Sequence, residues 1–290
     1  MAILSIQSHV VFGYAGNTAA VFPLQRLGRE VWAINTVEFS NHTGYGVWRG
    51  KLLGAELATE LVIGLEERGV LGRCEAVLSG YLGDAAVGRT IIDAVKKARI
   101  ESPGALYCCD PVMGDIGRGF YVEPDIPDMF KNELVPLADI VCPNQFELEA
   151  LSGIDTTTVD NAIKAINFLH EAGPSIVLVT SFKETQEKIS MLASDKTNLY
   201  KITTPELPLG NGVAGMGDMT AAIFLSRYLE TGNLKKTLEL CAASVFGILD
   251  ASLKAASPAE KSLPLELKII DAQKELRTPS YTFTAVKYPG

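Results

Sequence analysis

Ile140-Val141-Cys142-Pro143-Asn144-Gln145-Phe146-Glu147 opens a stretch that closes on Ile176-Val177-Leu178-Val179-Thr180, and its reading decides the fold. Both ends are short apolar runs of strand length. Between them, Gln145–Ser152 and Val159–Ala172 carry apolar residues at helical spacing. A strand, a helical crossover and a second strand form a unit that pairs its strands in parallel. The same alternation extends outward. Ala2–Ile6, Val31–Asn35, Ala76–Leu78 and Leu106–Cys109 read as further strands. Asn17–Leu27 reads as a helix with Asn17 as its N-cap and Gly28 just past its end. Ala55–Arg68, ending at Gly69, and the run from Asp84 to Arg99 read as helices too.

Toward the C-terminus the rhythm changes after Thr180. Ile189–Ala193 and Leu199–Thr203 read as a hairpin around Ser194–Asn198, and Asp218–Leu229 and Leu234–Ala256 as long helices. Ser257–Lys261, polar and carrying Pro258, reads as a helix–helix loop. Apolar strands without polar alternation, set between amphipathic helices, predict an α/β fold with a mostly parallel central sheet flanked by helices on both faces. No repeat or composition shift marks a boundary, so residues 1–290 read as one domain.

Composition narrows the function classes. With 47% hydrophobic and 21% charged residues the chain has globular proportions. Lys+Arg 26 against Asp+Glu 34 gives a net charge of −8, with no basic block, which argues against nucleic acid and anionic membranes as partners. The 5 cysteines contain no C-x-x-C pair, so neither a disulfide framework nor a zinc site has its spacing. No secretory signal or membrane span is legible, and a cytoplasmic enzyme is the expectation.

In open α/β sheets ligands collect beyond the carboxyl ends of the strands, and the polar residues cluster there. Ser8 and His9 follow the first strand, Ser40–Thr43 the second, and Ser79-Gly80-Tyr81 the third. Asp110–Asp115 follow the fourth, Pro143–Glu147 the fifth, and Thr180-Ser181 the sixth. Gly215-Met216-Gly217-Asp218 precedes a helix, so its amides and the helix dipole make an anion site. A carboxylate there would repel a phosphate, and is better employed taking a proton from an attacking hydroxyl. The competing reading makes Asp218 a simple N-cap. Asp110, Asp115 and Glu147 suit Mg²⁺, partly through water. Gly114, Gly117 and Gly119 with Arg118 read as a segment able to close over phosphates. No Gly-x-x-x-x-Gly-Lys-Ser/Thr occurs, which excludes the P-loop route to ATP.

The ordered set Gln7–Asn17, Asn35–Thr43, Leu78–Gly83, Cys109–Gly114 and Pro143–Glu147 resembles the pyridoxal kinases of the ribokinase-like superfamily. The resemblance runs from Ile3 to the final helices. It implies a ribokinase-like fold and phosphoryl transfer from MgATP to the 5′-hydroxyl of pyridoxal, with pyridoxine or pyridoxamine as further acceptors. It implies that Ser8 and Thr43 bond the ring's polar groups with Gly44 beside them, and that Tyr81 packs by the ring. Asp218 is then the base, with the Gly215 and Gly217 amides on the transferred phosphate. Asp110, Cys142, Glu147 and Thr180 line the phosphates and metal, and Thr204, Pro205, Glu206 and Leu207 lie on the adenine side. A monovalent cation and a homodimer, through Leu52-Leu53 and nearby helices, belong to the same resemblance.

Met216 departs from the Thr, Ser or Val usual between the two glycines, and Cys142 from the usual Thr or Ala, which leaves only a thiol or a backbone carbonyl there for a metal-side contact. Thr180 departs from members with Lys. His9 and His42 flank the pocket without an assigned catalytic role. Alternatives are a hydroxymethylpyrimidine kinase, or a low-turnover pyridoxal-binding protein. A sugar kinase needs an early lid for which the second strand leaves little room.

Overall fold

A computed structural model describes residues 1–185, 188–210, 212–256 and 264–288. The loop expected at residues 257–261 lies outside them. In chain order the elements begin with β1 (Ala2–Phe12), α1 (Asn17–Arg26), β2 (Glu30–Asn41), β3 (Gly50–Leu52), α2 (Gly54–Glu67), β4 (Cys74–Ser79) and α3 (Ala85–Glu101). Next come β5 (Leu106–Cys109), the short pair β6 (Gly114–Asp115) and β7 (Gly119–Phe120), and α4 (Ile126–Met129). A π-helical turn at Phe130–Leu134 leads into α5 (Val135–Leu137). The crossover unit is β8 (Ile140–Val141), α6 (Gln145–Ser152), α7 (Val159–Ala172) and β9 (Ile176–Thr185). The chain finishes with β10 (Lys188–Ser194), β11 (Leu199–Pro205), α8 (Met216–Thr231), α9 (Leu234–Ala255), α10 (Lys274–Arg277) and β12 (Val286–Tyr288).

One ten-stranded sheet has the order β12-β11-β10-β9-β8-β5-β4-β1-β2-β3. From β9 to β2 every pairing is parallel, while β3 at one edge and β10, β11 and β12 at the other pair antiparallel. Alternate residues of a strand enter opposite faces, and here both faces are buried. Leu4 and Ile6 join the core beneath α2, α3 and α7, with Val62, Ile91 and Ile166. Ile3 joins the core beneath α1, α8 and α9, with Leu24, Ile223 and Leu238. Side chains start the helices where expected and elsewhere: Asp84 Oδ1 accepts from Ala86 N at 2.8 Å, and Asn233 Oδ1 accepts from Lys236 N at 2.9 Å.

Several boundaries differ from the sequence reading. β1 runs to Phe12 and β2 to Asn41, so Ser8, His9, Ser40 and Asn41 lie within strands rather than after them. Parallel pairing from Ala2↔Glu30 to Phe12↔Asn41 extends both, with a register shift between Gln7 and His9 absorbing the polar stretch. Gly16, not Asn17, caps α1. Asn17 is instead buried, accepting from Ser5 Oγ at 2.7 Å and donating to Ile34 O at 3.0 Å and Asn35 Oδ1 at 2.8 Å. One amide side chain thus joins β1, β2 and α1. β8 stops at Val141, one residue short of Cys142, and the strand after α7 continues past Thr180 to Thr185. β3, β12 and the helical segment 126–137 carried no signal long enough to read.

Candidate active site

The glycine pair and the carboxylates meet at the carboxyl edge of the parallel strands. Gly215 caps α8 with φ 73°, and a side chain there would meet Tyr14 O at 2.3 Å, so only glycine lets the helix seat on the loop after β1. Asp218 is the third residue of α8 rather than its cap, which removes the reading of it as a simple N-cap. Burial raises its pKa, while the backbone amides of Gly16 and of Asp218 itself oppose the rise. A first side-chain carbon on Gly217 would lie 3.8 Å from Asp110 Oδ2, so the Asp110 carboxylate faces the first turn of α8.

Asp110 is 3% exposed, and its Oδ2 has no hydrogen-bond partner among the described residues. Burial first, then the negative charges of Glu147 and Asp218, push its pKa well above the carboxylate range. Glu147 is equally buried and raised to about 8 by burial, against the amide bonds it accepts. Those bonds come from Met113 N at 3.1 Å and Asn144 N at 2.8 Å. Asn144 Oδ1 accepts from Glu147 N at 2.9 Å in return, completing a capping box on α6. Asn144 also donates to Gly114 O at 2.8 Å and Asp115 Oδ1 at 3.2 Å, tying the β6–β7 hairpin to the same corner. The sequence reading passed over Asn144 itself, although Asn-x-x-Glu is the signature of that box.

Burial raises Asp115, and the nearby Arg118 guanidinium opposes it. The Arg118 guanidinium lies 5.9 Å from the centre of the Tyr121 ring, and its Nη2 is 3.6 Å from where a side-chain carbon on Gly44 would sit. The glycine-containing segment is therefore an ordered hairpin whose tip brings a cation to both the carboxylates and the Thr43–Tyr45 turn. His42 Nδ1 accepts from Gly44 N at 3.1 Å, and burial first, then the Arg118 charge, lower the pKa of the imidazole. That imidazole holds the turn.

Ser8 is buried on β1, and Thr43 is exposed in the turn. Val10, Ala15, Val37 and Phe39 form a small apolar cluster against which Tyr81 packs. Thr180 donates its amide to Pro143 O at 3.0 Å, at the end of the β8–β9 unit. Thr204 and Pro205 end β11, opposite Ile189 and Lys188, at the same sheet edge as Thr180. Glu206 pairs with Lys183, and Leu207 packs on the α8–α9 core. Of the two groups expected from Cys142 the thiol drops out, since it points to Cys108 Sγ at 3.7 Å inside the core and that bond together with burial pushes it up, which leaves the backbone carbonyl for any nucleotide- or metal-side contact.

The donor set fits a divalent cation of one kind. Among the described residues no group of three or more His, Cys, Asp or Glu side chains forms a metal cage. The orphaned Asp110 Oδ2 among acidic neighbours instead suits Mg²⁺ bound through one or two carboxylates, completed by water and nucleotide phosphates. No helix among the described residues is long and apolar enough to cross a membrane.

Comparison with known proteins gives the chain its family. A family model described as phosphomethylpyrimidine kinase matches residues 71–260. A pyridoxal kinase PdxY of Rubrobacter xylanophilus is 48% identical over 97% of this chain and 95% of its own length. That of Granulibacter bethesdensis is 47% identical over 98% and 99%. Among solved structures, the pyridoxal kinase of Leishmania donovani in complex with ADP and pyridoxamine superposes with a TM-score of 0.91 at 30% identity, covering 99% of both chains. With nearly the whole chain aligned at such identity, the protein belongs to the phosphomethylpyrimidine kinase family, among its pyridoxal kinases.

Proposed function

We propose that the protein transfers the γ-phosphoryl group of MgATP to the 5′-hydroxyl of pyridoxal, forming pyridoxal 5′-phosphate, with pyridoxine and pyridoxamine as further acceptors. The observation that carries this reading is the half-buried Asp218 in the first turn of α8, the turn that the Asp110 carboxylate faces at Gly217. Ser8, Thr43 and Gly44 bond the ring's polar groups, and Tyr81 closes its apolar side. A base works best with a pKa drawn toward the operating pH, and burial moves Asp218 that way. Asp218 takes the hydroxyl proton as the oxygen attacks phosphorus.

The leaving nucleotide lies along Thr180 and Thr204–Leu207. Asp110, Glu147 and Asp115 hold Mg²⁺, which when bound neutralises phosphate charge. The Gly215–Gly217 amides and Arg118 act on the group in transit, so positioning and charge account for most of the acceleration. A monovalent cation belongs at the same acidic edge.

A second reading is favoured by the description of the matching family model: hydroxymethylpyrimidine as acceptor. Coupled ADP release with pyridoxal, pyridoxine, pyridoxamine and hydroxymethylpyrimidine, with and without excess EDTA, tests both. Turnover on pyridoxal that EDTA abolishes supports the proposal. Turnover on the pyrimidine alone, or full activity in EDTA, overturns it.

A homodimer fits the exposed Leu52 of edge strand β3 and Leu57 and Leu61 of α2, the region where the sequence reading put an interface. The free, buried cysteines suit a reducing cytoplasm.

A further inference from the structure

Glu266 lies between α9 and α10, far in sequence from every residue named in the site. Its Oε1 accepts a hydrogen bond from Tyr45 Oη, and Tyr45 ends the turn that carries Thr43 and Gly44. The same carboxylate presses on Gly13. A side chain at Gly13, whose φ is 84°, would come within 2.6 Å of Oε1 and 2.7 Å of Oε2. Gly13 opens the short loop in which the Tyr14 carbonyl seats Gly215 and the Gly16 amide bonds Asp218. Phe12, at the end of β1, meets the Tyr45 ring edge-on at 6.1 Å between centres. A single carboxylate therefore touches both walls of the pocket: the turn that would receive the ring, and the loop that fixes the base.

A cavity of about 790 Å³ adjoins this contact, lined by His9, Phe12, Tyr14, Glu266 and Asp271 among others. It is not the reaction site, since Ser8, Thr43, Tyr81, Asp110 and Asp218 do not line it. It leaves open space beside the joint between the turn and the loop.

We propose that Glu266 is a positioning residue for the acceptor alcohol, clamping the Thr43–Tyr45 turn to the Gly13–Gly16 loop and so setting the reach from ring to Asp218. The inference rests on the reading that Thr43 and Gly44 receive the ring. The clamp touches the ring-receiving turn directly and the Gly215 seat only through the Gly13–Gly16 loop, so losing it weakens the hold on the alcohol more than that on the nucleotide.

The test uses the full chain with Glu266→Ala, Glu266→Gln, Tyr45→Phe and the double variant Glu266→Ala/Tyr45→Phe. Steady-state kinetics and pyridoxal binding by calorimetry are measured on each. Loss of one hydrogen bond to a charged acceptor predicts a rise of about tenfold or more in KM and Kd for pyridoxal in Glu266→Ala and Tyr45→Phe. KM for MgATP should stay within about twofold, and the double variant should be no worse than Glu266→Ala, because both remove one contact. Glu266→Gln keeps an acceptor for the tyrosine and should restore most of the affinity. Unchanged pyridoxal affinity in Glu266→Ala and Tyr45→Phe, a parallel rise in KM for MgATP, or multiplied effects in the double variant would overturn the clamp. Should Glu266→Ala not fold, Tyr45→Phe decides alone. A wild-type chain that binds and turns over no pyridoxal defeats the functional reading instead, and the same comparisons are then made with the alcohol it does phosphorylate.

Discussion

Met113 N donates to Glu147 Oε1 at 3.1 Å, so the carboxylate that starts α6 also holds the loop after β5. Its other oxygen takes the Asn144 amide at 2.8 Å, which leaves Glu147 acting as a strut between two corners of the phosphate edge. Glu147→Gln keeps one acceptor but turns an NH₂ toward an amide donor. Stability should fall by about 1–3 kcal/mol for the unsatisfied buried bond, with a rise in KM for MgATP and no change in helix content. Chemical denaturation and kinetics on this variant check it. Wild-type stability together with wild-type KM would remove the strut role.

The buried carboxylates set a pH dependence with a definite sign. Glu147 has a native pKa of about 8, and Asp110 and Asp218 are also raised, so the native state binds more protons than the unfolded chain. Their contribution is fully present below the unfolded carboxylate value and is lost as pH rises through the native one, between about pH 4.5 and about pH 8. The nucleotide-free protein should therefore melt lower at the alkaline end. MgADP, which favours the ionised carboxylates, should add more to Tm there than at the acid end. Thermal melts with and without MgADP decide it, and a nucleotide-free Tm that climbs across this range contradicts the expectation.

Asp218→Asn removes the proton acceptor and keeps the side chain's size. kcat should fall by about 10²–10⁴-fold, the usual contribution of a general base. Affinity for MgATP should hold or improve, since one negative charge leaves the phosphate edge. A kcat within about threefold of wild type would retire the assignment.

Ser8→Ala combined with Thr43→Ala separates acceptor from nucleotide. Two lost hydrogen bonds of roughly 0.5–1.5 kcal/mol each should raise KM for pyridoxal about ten- to a hundredfold, with MgATP nearly unaffected. Equal weakening for ATP would show that these residues do not serve the ring.

The crossover from β8 to β9 was legible because each apolar run is short and each helical pattern long, and the parallel centre of the sheet followed from it. The site's carboxylates were legible because they sit just past those runs. What escaped were features decided between distant segments. β1 continues through Gln7, Ser8 and His9 because β2 lies alongside, and a polar triplet gives no local sign of that. Asn17 reads as a cap from its neighbours alone, and only the approach of Ser5, Ile34 and Asn35 reveals its buried role. Cys142 sits at a motif position, yet its thiol points to Cys108 in the core. The Tyr45–Glu266 bond had no signal at all, since a lone glutamate in a C-terminal segment carries no spacing to read.

The seat of Gly215 on the Tyr14 carbonyl also governs when a nascent chain can first work. The ring-side strand β1 leaves the ribosome ahead of every other element described, but the loop after it stays without its helix until residues near 218 have followed. Intermediates that extend past Glu147 but stop short of α8 hold the acceptor wall and the carboxylates of Asp110 and Glu147 without the helix end that opposes them. Those acids must wait hydrated or protonated, because a dry core around them is tolerable only once α8 has arrived. Closure of the sheet face beneath α1, α8 and α9 and completion of the reaction centre are thus one late event in the chain's emergence.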